Sequence, residues 1–318
     1  MLNPKKYLKI LFLLLGVVFL GAFVYLYFYA KSYPLPITNR VSLDAKIKFI
    51  KENIDRDKIR TIIIGSSIGL NNVQGSVLEE NCKTCASVLN ISFLELRAAQ
   101  AEQMMELVTL FPHLKRVIYS VQFSDFSASA TIDDFDPELI KKYISNEMSY
   151  IDMMTLTGHT YKNVLNCIDR QWHWEKKHMA NNKFSYLDFD YTGSAPLNIY
   201  GKDIIKSRWE IAHPNTQDES SFQALERMAK RLDKGYMDFY VVLQPYRIPL
   251  INEFKHIKPT MDRFSTRVEN ILVKTNATFI NMHNILQLND DYFADRSHLN
   301  DKGSFVVSEA IAKIIDNK

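Results

Sequence analysis

Cysteine is scarce, with three residues among 318. That excludes a fold built on a disulfide framework. Glycine and proline are also few, at ten each, which excludes collagen-like and low-complexity chains. Neither charge sign dominates: 39 lysines and arginines face 36 aspartates and glutamates, a formal net charge of +3. A dedicated nucleic-acid binder needs a concentrated basic face, so no nucleic-acid partner is expected. Long apolar runs are missing with one exception, which excludes a polytopic transporter. Hydrophobic residues still make up 47% of the chain, enough to build a sizeable core.

The exception is at the start. Residues 10–30 read ILFLLLGVVFLGAFVYLYFYA and carry no charge. At about 1.5 Å per residue, a helix of this length crosses a hydrocarbon core of about 30 Å. Lys5, Lys6 and Lys9 precede the run and only Lys31 follows closely. The positive-inside rule therefore predicts a cytoplasmic N-terminus and a body outside the cytoplasm. Tyr25, Tyr27 and Tyr29 gather at the far end, where amphipathic rings favour the interface. A cleaved signal peptide begins in the same way. This run is longer than a signal core, and its bulky aromatic end lacks a small-x-small cleavage site, so an uncleaved anchor is expected.

Removing residues 1–31 takes away four lysines and no acids, leaving 35 basic against 36 acidic residues. The positive excess thus belongs to the anchor and not to the body. Three parts are expected: a cytoplasmic stub and transmembrane anchor at 1–31, a linker and juxtamembrane helix at 32–58, and one α/β domain at 59–318 with an insertion at about 131–215. Outside the cytoplasm, Cys82-x-x-Cys85 reads as a local structural disulfide rather than a redox site. Cys167, His173 and His178 fit no common metal-ligand spacing, so no metal is expected there.

The body alternates strand and helix signals. Pro34 and Pro36 mark an extended linker, and Leu43, Ile47, Ile50 and Ile54 give 42–55 a helical stripe. Strands are expected at Arg60–Ile64, Ala86–Ile91, Arg116–Val121, Tyr236–Leu243 and Ala277–Met282. Helices are expected at 93–110, 137–166, 258–275 and 304–315. Such alternation implies a mostly parallel sheet covered on both faces. Residues 171–214 are polar, aromatic and irregular, with Trp172, Trp174, Tyr186, Tyr191, Tyr200 and Trp209 among them. Aromatic faces suit sugar rings or acyl chains, and aromatic residues also simply pack.

Chemistry is concentrated at two distant places. Ile64-Gly65-Ser66-Ser67-Ile68-Gly69 puts a serine at the carboxyl end of a parallel strand, where doubly wound sheets hold their ligands. Read alone, it is a helix N-cap, for which serine is well suited. Asp295-Arg296-Ser297-His298-Leu299-Asn300 precedes the last helix. An acid and a histidine three apart face the same way, so Asp295 can hold the Nδ1 proton of His298 and leave Nε2 as a base. A serine hydroxyl is a feeble nucleophile until such a base activates it. Read alone, this segment too is a helix start, with Ser297 or Asn300 as cap.

Together, Gly65-Ser66-Ser67 and Asp295-x-x-His298-Leu299-Asn300 with Gly303 resemble the SGNH (GDSL-like) hydrolase superfamily. The Gly-Ser-Ser variant and the single anchor resemble its membrane-anchored branch, which includes proteins of teichoic acid D-alanylation and relatives of alginate O-acetyltransferases. The resemblance implies a three-layer, flavodoxin-like α/β fold. It implies Ser67 as nucleophile, His298 as base and Asp295 as its orienter, with no cofactor. It also implies an oxyanion hole, for which Ser67 N–H, Ser92 N–H and the Gln122 amide are the candidates. The superfamily's second-block glycine and third-block Gly-x-Asn-Asp are replaced here by Asn90-Ile91-Ser92 and Ser120–Phe126. Loss of one oxyanion donor costs about 10²–10³ in turnover. The implied activity is a serine esterase or O-acyltransferase on a cell-envelope glycan, facing outward from a bacterial inner membrane. An acyl donor and a membrane-bound acyltransferase are the implied partners. The alternative is a catalytically silent domain that binds polysaccharide or scaffolds a biosynthetic complex.

Overall fold

In a computed structural model of the chain, the described residues are 4–38, 40–127, 135–163, 171–172, 187–204, 217–253 and 257–317. Helix α1 (Pro4–Ser32) comes first and is long and apolar enough to cross a membrane. It is the sole helix of that kind among the described residues. Helix α2 (Val41–Asn53) follows after a short linker. The body then runs β1 (Thr61–Gly65), α3 (Ser67–Asn72), α4 (Gly75–Asn81), β2 (Val88–Asn90), α5 (Ala98–Met104) and β3 (Arg116–Val121). Next come α6 (Pro137–Ser145), α7 (Tyr150–Asn163), α8 (Glu219–Lys234), β4 (Asp238–Leu243), α9 (Ile248–Glu253) and α10 (Ile257–Leu272). The chain closes with β5 (Thr278–Asn281), α11 (Met282–Leu286) and α12 (Asp301–Asp316).

The five strands form one sheet in the order β2-β1-β3-β4-β5, and each neighbouring pair is parallel. Period-two alternation explains how the sheet is covered twice. Ile62 and Ile64 of β1 join one core with α2, α5, α8 and α10. Ile63 points the other way, into a second core with α4 and α12. The strand centres are therefore mostly apolar, as the β-branched run at 60–64 predicts.

Several expected elements are shorter or split. Helix 93–110 is confined to 98–104, followed by a 3₁₀ turn at Leu107–Leu110. Phe93 instead donates its N–H to Gly65 O, and Glu95 adopts a left-handed φ of 62°. The expected helix 137–166 breaks at Asn146, whose φ of 60° ends α6. Asparagine tolerates that conformation better than most residues. Helix α8 has no counterpart in the sequence expectation, although Phe222, Leu225, Met228, Ala229 and Leu232 mark a buried stripe at helical spacing. Cys82 and Cys85 form a disulfide. Cys167, His173, His178, Trp174, Tyr186 and Trp209 lie outside the described residues.

Strand order places the site. The chain leaves β1 to form β2 on one side, then crosses to β3 on the other side of β1. Where the order reverses, the carboxyl ends of β1 and β3 open a crevice. Gly65 ends β1 there, paired in register with Ser120. A Cβ on Gly65 would lie 2.6 Å from Ser120 O, so only glycine lets β1 lie against β3 at this point.

Candidate active site

Ser66 and Ser67 follow Gly65 directly but face different surroundings. Ser66 is the N-cap of α3, with its hydroxyl oxygen accepting from Ile68 N–H. It is buried and donates to Asp125 Oδ2 at 3.2 Å. Ser67 is the first residue of α3 and is partly exposed. Its N–H stands in the first turn, where backbone donors have no intrahelical acceptor. Both roles read from the sequence are thus present, on different residues: a cap at Ser66 and an accessible hydroxyl at Ser67.

His298 and Asp295 come from the loop before α12. Ser67 Oγ lies 2.8 Å from His298 Nε2. On the other side of the ring, Nδ1 lies 2.8 Å from Asp295 Oδ2. Asp295 Oδ1 accepts the N–H groups of Ser297 and His298, which curls the loop around the carboxylate. Burial pushes the Asp295 carboxyl up, but the His298 charge and the hydrogen bonds from His298 and Ser297 outweigh it and hold it at about 2. An ionised carboxylate only accepts, so the ring proton sits on Nδ1. Nε2 then carries the lone pair that accepts from Ser67 O–H. The sequence places these groups more than two hundred positions apart, and the fold brings them into one line. Asn300 caps α12 by accepting from Gly303 N–H, so one short segment both ends in a cap and presents the imidazole.

Buried amides that sequence reasoning did not single out hold the two halves together. Asn72 Nδ2 donates to Ser297 O at 2.9 Å, and Asn72 Oδ1 accepts from Leu299 N–H at 2.9 Å. It therefore ties α3 to the histidine loop on both sides of His298. Asn90, ending β2, donates to Gly69 O and to Ser194 Oγ. The segment 187–204, inside the expected insertion, adds a strap across both parts. Ala195 N–H donates to Leu70 O, Asn71 Nδ2 donates to Ala195 O, and Asp301 N–H donates to Leu197 O. No local pattern marks the role of Asn72 or Asn90, because it exists only through contacts across the fold. Asn72→Ala leaves a buried N–H and a buried carbonyl unpaired. A loss of about 2–3 kcal/mol in stability is expected, measured by denaturant unfolding. An ester-cleavage rate about 10²-fold lower is expected from the displaced imidazole.

The candidate oxyanion donors divide. Ser67 N–H belongs to the first turn of α3. Ser92 N–H does not serve as an open donor, because it donates to Asn90 Oδ1 at 3.0 Å. The chain curls back at Asn90-Ile91-Ser92 around this hydrogen bond. Gln122 is likewise occupied: its N–H donates to Asp125 Oδ2 and its side-chain amide lies 3.5 Å from Asp125 Oδ1. Asp125 is buried beneath the site beside Ser66. Burial pushes its carboxyl up to about 7, against the hydrogen bonds from Gln122 and Ser66 and the charge of Arg97. Gln244, at the carboxyl end of β4, is buried with neither amide atom hydrogen-bonded among the described residues.

Of the aromatics in the expected insertion, Tyr191 is exposed and donates to Glu79 Oε2, and Lys302 lies over the Tyr200 ring at 5.2 Å. Among the described residues no cluster of three or more acidic, histidine or cysteine side chains could hold a metal ion.

No family model matches the chain, and no curated protein matches it. Solved structures do resemble it. One, from Streptococcus pneumonia and provisionally described as a platelet activating factor, shares 10% identity at a TM-score of 0.44, covering 85% of this chain and 91% of its own. Another, described as a carbohydrate acetylesterase family member from Sinorhizobium meliloti, shares 10% identity at a TM-score of 0.36, covering 82% of this chain and 100% of its own.

Proposed function

We propose that this protein is a membrane-anchored serine esterase or O-acyltransferase of the SGNH type, acting through an acyl-enzyme on Ser67. One observation carries the reading: Ser67, His298 and Asp295 form a continuous relay with 2.8 Å at each step. His298 Nε2 takes the hydroxyl proton as Ser67 Oγ attacks an ester carbonyl carbon. The tetrahedral intermediate places its negative oxygen toward Ser67 N–H. Collapse breaks the ester bond, and the imidazolium returns its proton to the departing alkoxide. Water or a sugar hydroxyl then attacks the acyl-Ser67, again losing its proton to Nε2; collapse breaks the acyl–Oγ bond, and the imidazolium returns the proton to Ser67 Oγ. The ionised Asp295 stabilises the imidazolium in both halves.

A three-layer flavodoxin-like organisation of residues 59–318, with 32–58 as linker and juxtamembrane helix, accords with this reading. α1 serves as the anchor, the lysines before it set the N-terminus in the cytoplasm, and the Cys82–Cys85 disulfide suits a body in an oxidising compartment. A bacterial inner membrane, a cell-envelope glycan as acceptor or acylated substrate, and a membrane-bound acyltransferase as donor complete the proposal. A silent glycan-binding or scaffolding domain is the second reading. The occupied donors at Ser92 and Gln122 favour it.

A fluorophosphonate probe separates the two. The enzyme reading expects labelling of the full chain that vanishes in Ser67→Ala and persists in Ser66→Ala. Absence of labelling in the folded wild type, with glycan affinity retained, replaces the enzyme by the binding domain.

A further inference from the structure

Helix α7 has its polarity inside out. Asp152, Leu156 and Thr160 follow at i, i+4 and i+8, and this stripe faces the body. Asp152 holds Lys142 of α6 at 2.9 Å, Leu156 packs against the core and Thr160 is buried. The opposite stripe is Tyr150, Ile151, Met154, Thr157 and Gly158, with Thr155 and His159 exposed at its edges. Tyr150 is 75% exposed, Ile151 74% and Met154 61%, and Met153 beside them is also exposed. A surface helix ordinarily turns charge outward, and this stripe has none.

The position of α7 says what covers it. Leu35, three residues beyond the end of α1, packs against the core and lines a small cleft with Tyr143 of α6. Lys142, the neighbour of Tyr143, is the residue that holds the first turn of α7. Leu26 and Tyr29, in the last turns of α1, are buried, with Tyr33 packed against them. Leu35 therefore joins the body to the chain just beyond the membrane helix, and α7 begins beside that junction. Tyr25 and Tyr27 mark the interface level on α1, and Tyr150 opens α7 with the same chemistry.

We propose that α7 lies in the interface of the bilayer that α1 crosses, with Tyr150, Ile151 and Met154 set among the lipids. Helices of this kind bind in the membrane plane by burying an apolar face at the headgroup boundary. The proposal rests on α1 being a membrane anchor and is independent of the chemistry at Ser67. It makes α7 a second attachment, which restricts how the body can tilt on its tether.

The test uses the full chain with Cys167→Ser and Met154→Cys, carrying an environment-sensitive fluorophore, in phosphatidylcholine–phosphatidylglycerol vesicles. Ile151→Cys is the second labelling site. Phe305→Cys on α12, which packs on the other face of the sheet, is the reference. Blue-shifted emission and about twofold quenching by lipids spin-labelled near the headgroup are expected at 154 and 151 and not at 305. Emission at 154 and 151 as polar and unquenched as at 305 overturns the proposal. A blue shift without lipid quenching also overturns it, because protein then covers the face. Vesicle flotation reports on α1 separately: a chain that fails to float removes the anchor and this proposal together, while Ser67 labelling remains a separate readout.

Discussion

Ser67→Ala is expected to lower cleavage of an activated ester by roughly 10⁴–10⁶-fold, and His298→Ala by nearly as much. The double variant is no worse than either single one, because nucleophile and base act as one unit. Asp295→Asn is expected to cost roughly 10²–10⁴-fold. Its amide can still accept from Ser297 and His298 N–H, yet an N–H facing Nδ1 favours the ring tautomer whose proton points at Ser67. Ser66→Ala behaves differently. It removes the cap of α3 and one hydrogen bond to Asp125, so it costs about 1–2 kcal/mol of stability and leaves a working nucleophile. Rates on a p-nitrophenyl ester, with unfolding curves for each variant, separate these outcomes.

How much of this could be read from the chain differs residue by residue. Gly65-Ser66-Ser67 and Asp295-x-x-His298 are short local patterns, and their chemistry follows from residue type and spacing. Their meeting is a property of the parallel sheet, in which β1 and the start of α12 open on the same edge. The division of labour between Ser66 and Ser67 was less legible, since either serine can cap a helix. Asp125 decides it by taking the Ser66 hydroxyl, from a 3₁₀ turn after β3. Asn72 has no signal, and Asn90 is marked only by its place in the second block, because a buried amide looks like any other asparagine until its partners are known. The oxyanion candidates at Ser92 and Gln122 were placed by block position. The Asn90 side-chain oxygen and the Asp125 carboxylate that occupy their N–H groups are visible only in three dimensions. Strand periodicity located the sheet well because buried parallel strands are continuous apolar runs. Helix ends were harder wherever a single left-handed residue, Glu95 or Asn146, redirects the chain.

Asp125 gives the second large effect, on stability and not on rate. Its carboxyl titrates near 7 in the folded protein because burial disfavours its charge. In the unfolded chain it titrates near the usual value of about 3.9. Between these values the native state binds the additional proton, so stability falls as pH rises. At about 1.4 kcal/mol per unit the loss reaches about 4 kcal/mol by pH 7 and levels off above it. Asp295 has the opposite sign. Held at about 2, it contributes stability above pH 4 that is lost as pH falls from about 4 to about 2. The two together place their combined maximum near pH 4. Asp125→Asn keeps an acceptor for Ser66 and Gln122 and has no charge to bury. It should flatten the decline between about pH 4 and pH 7 and leave the acid limb unchanged, as measured by denaturant unfolding across pH.

The most direct measurement traps the acyl group itself. The full chain is mixed with an activated acetyl ester, quenched in acid within the first turnover, digested and read by peptide mass spectrometry. One acetyl group on Ser67 is predicted, formed quickly in the wild type and lost in His298→Ala. Acetylation at other residues only, or a modified Ser67 whose rate of formation ignores the loss of His298, would contradict the relay.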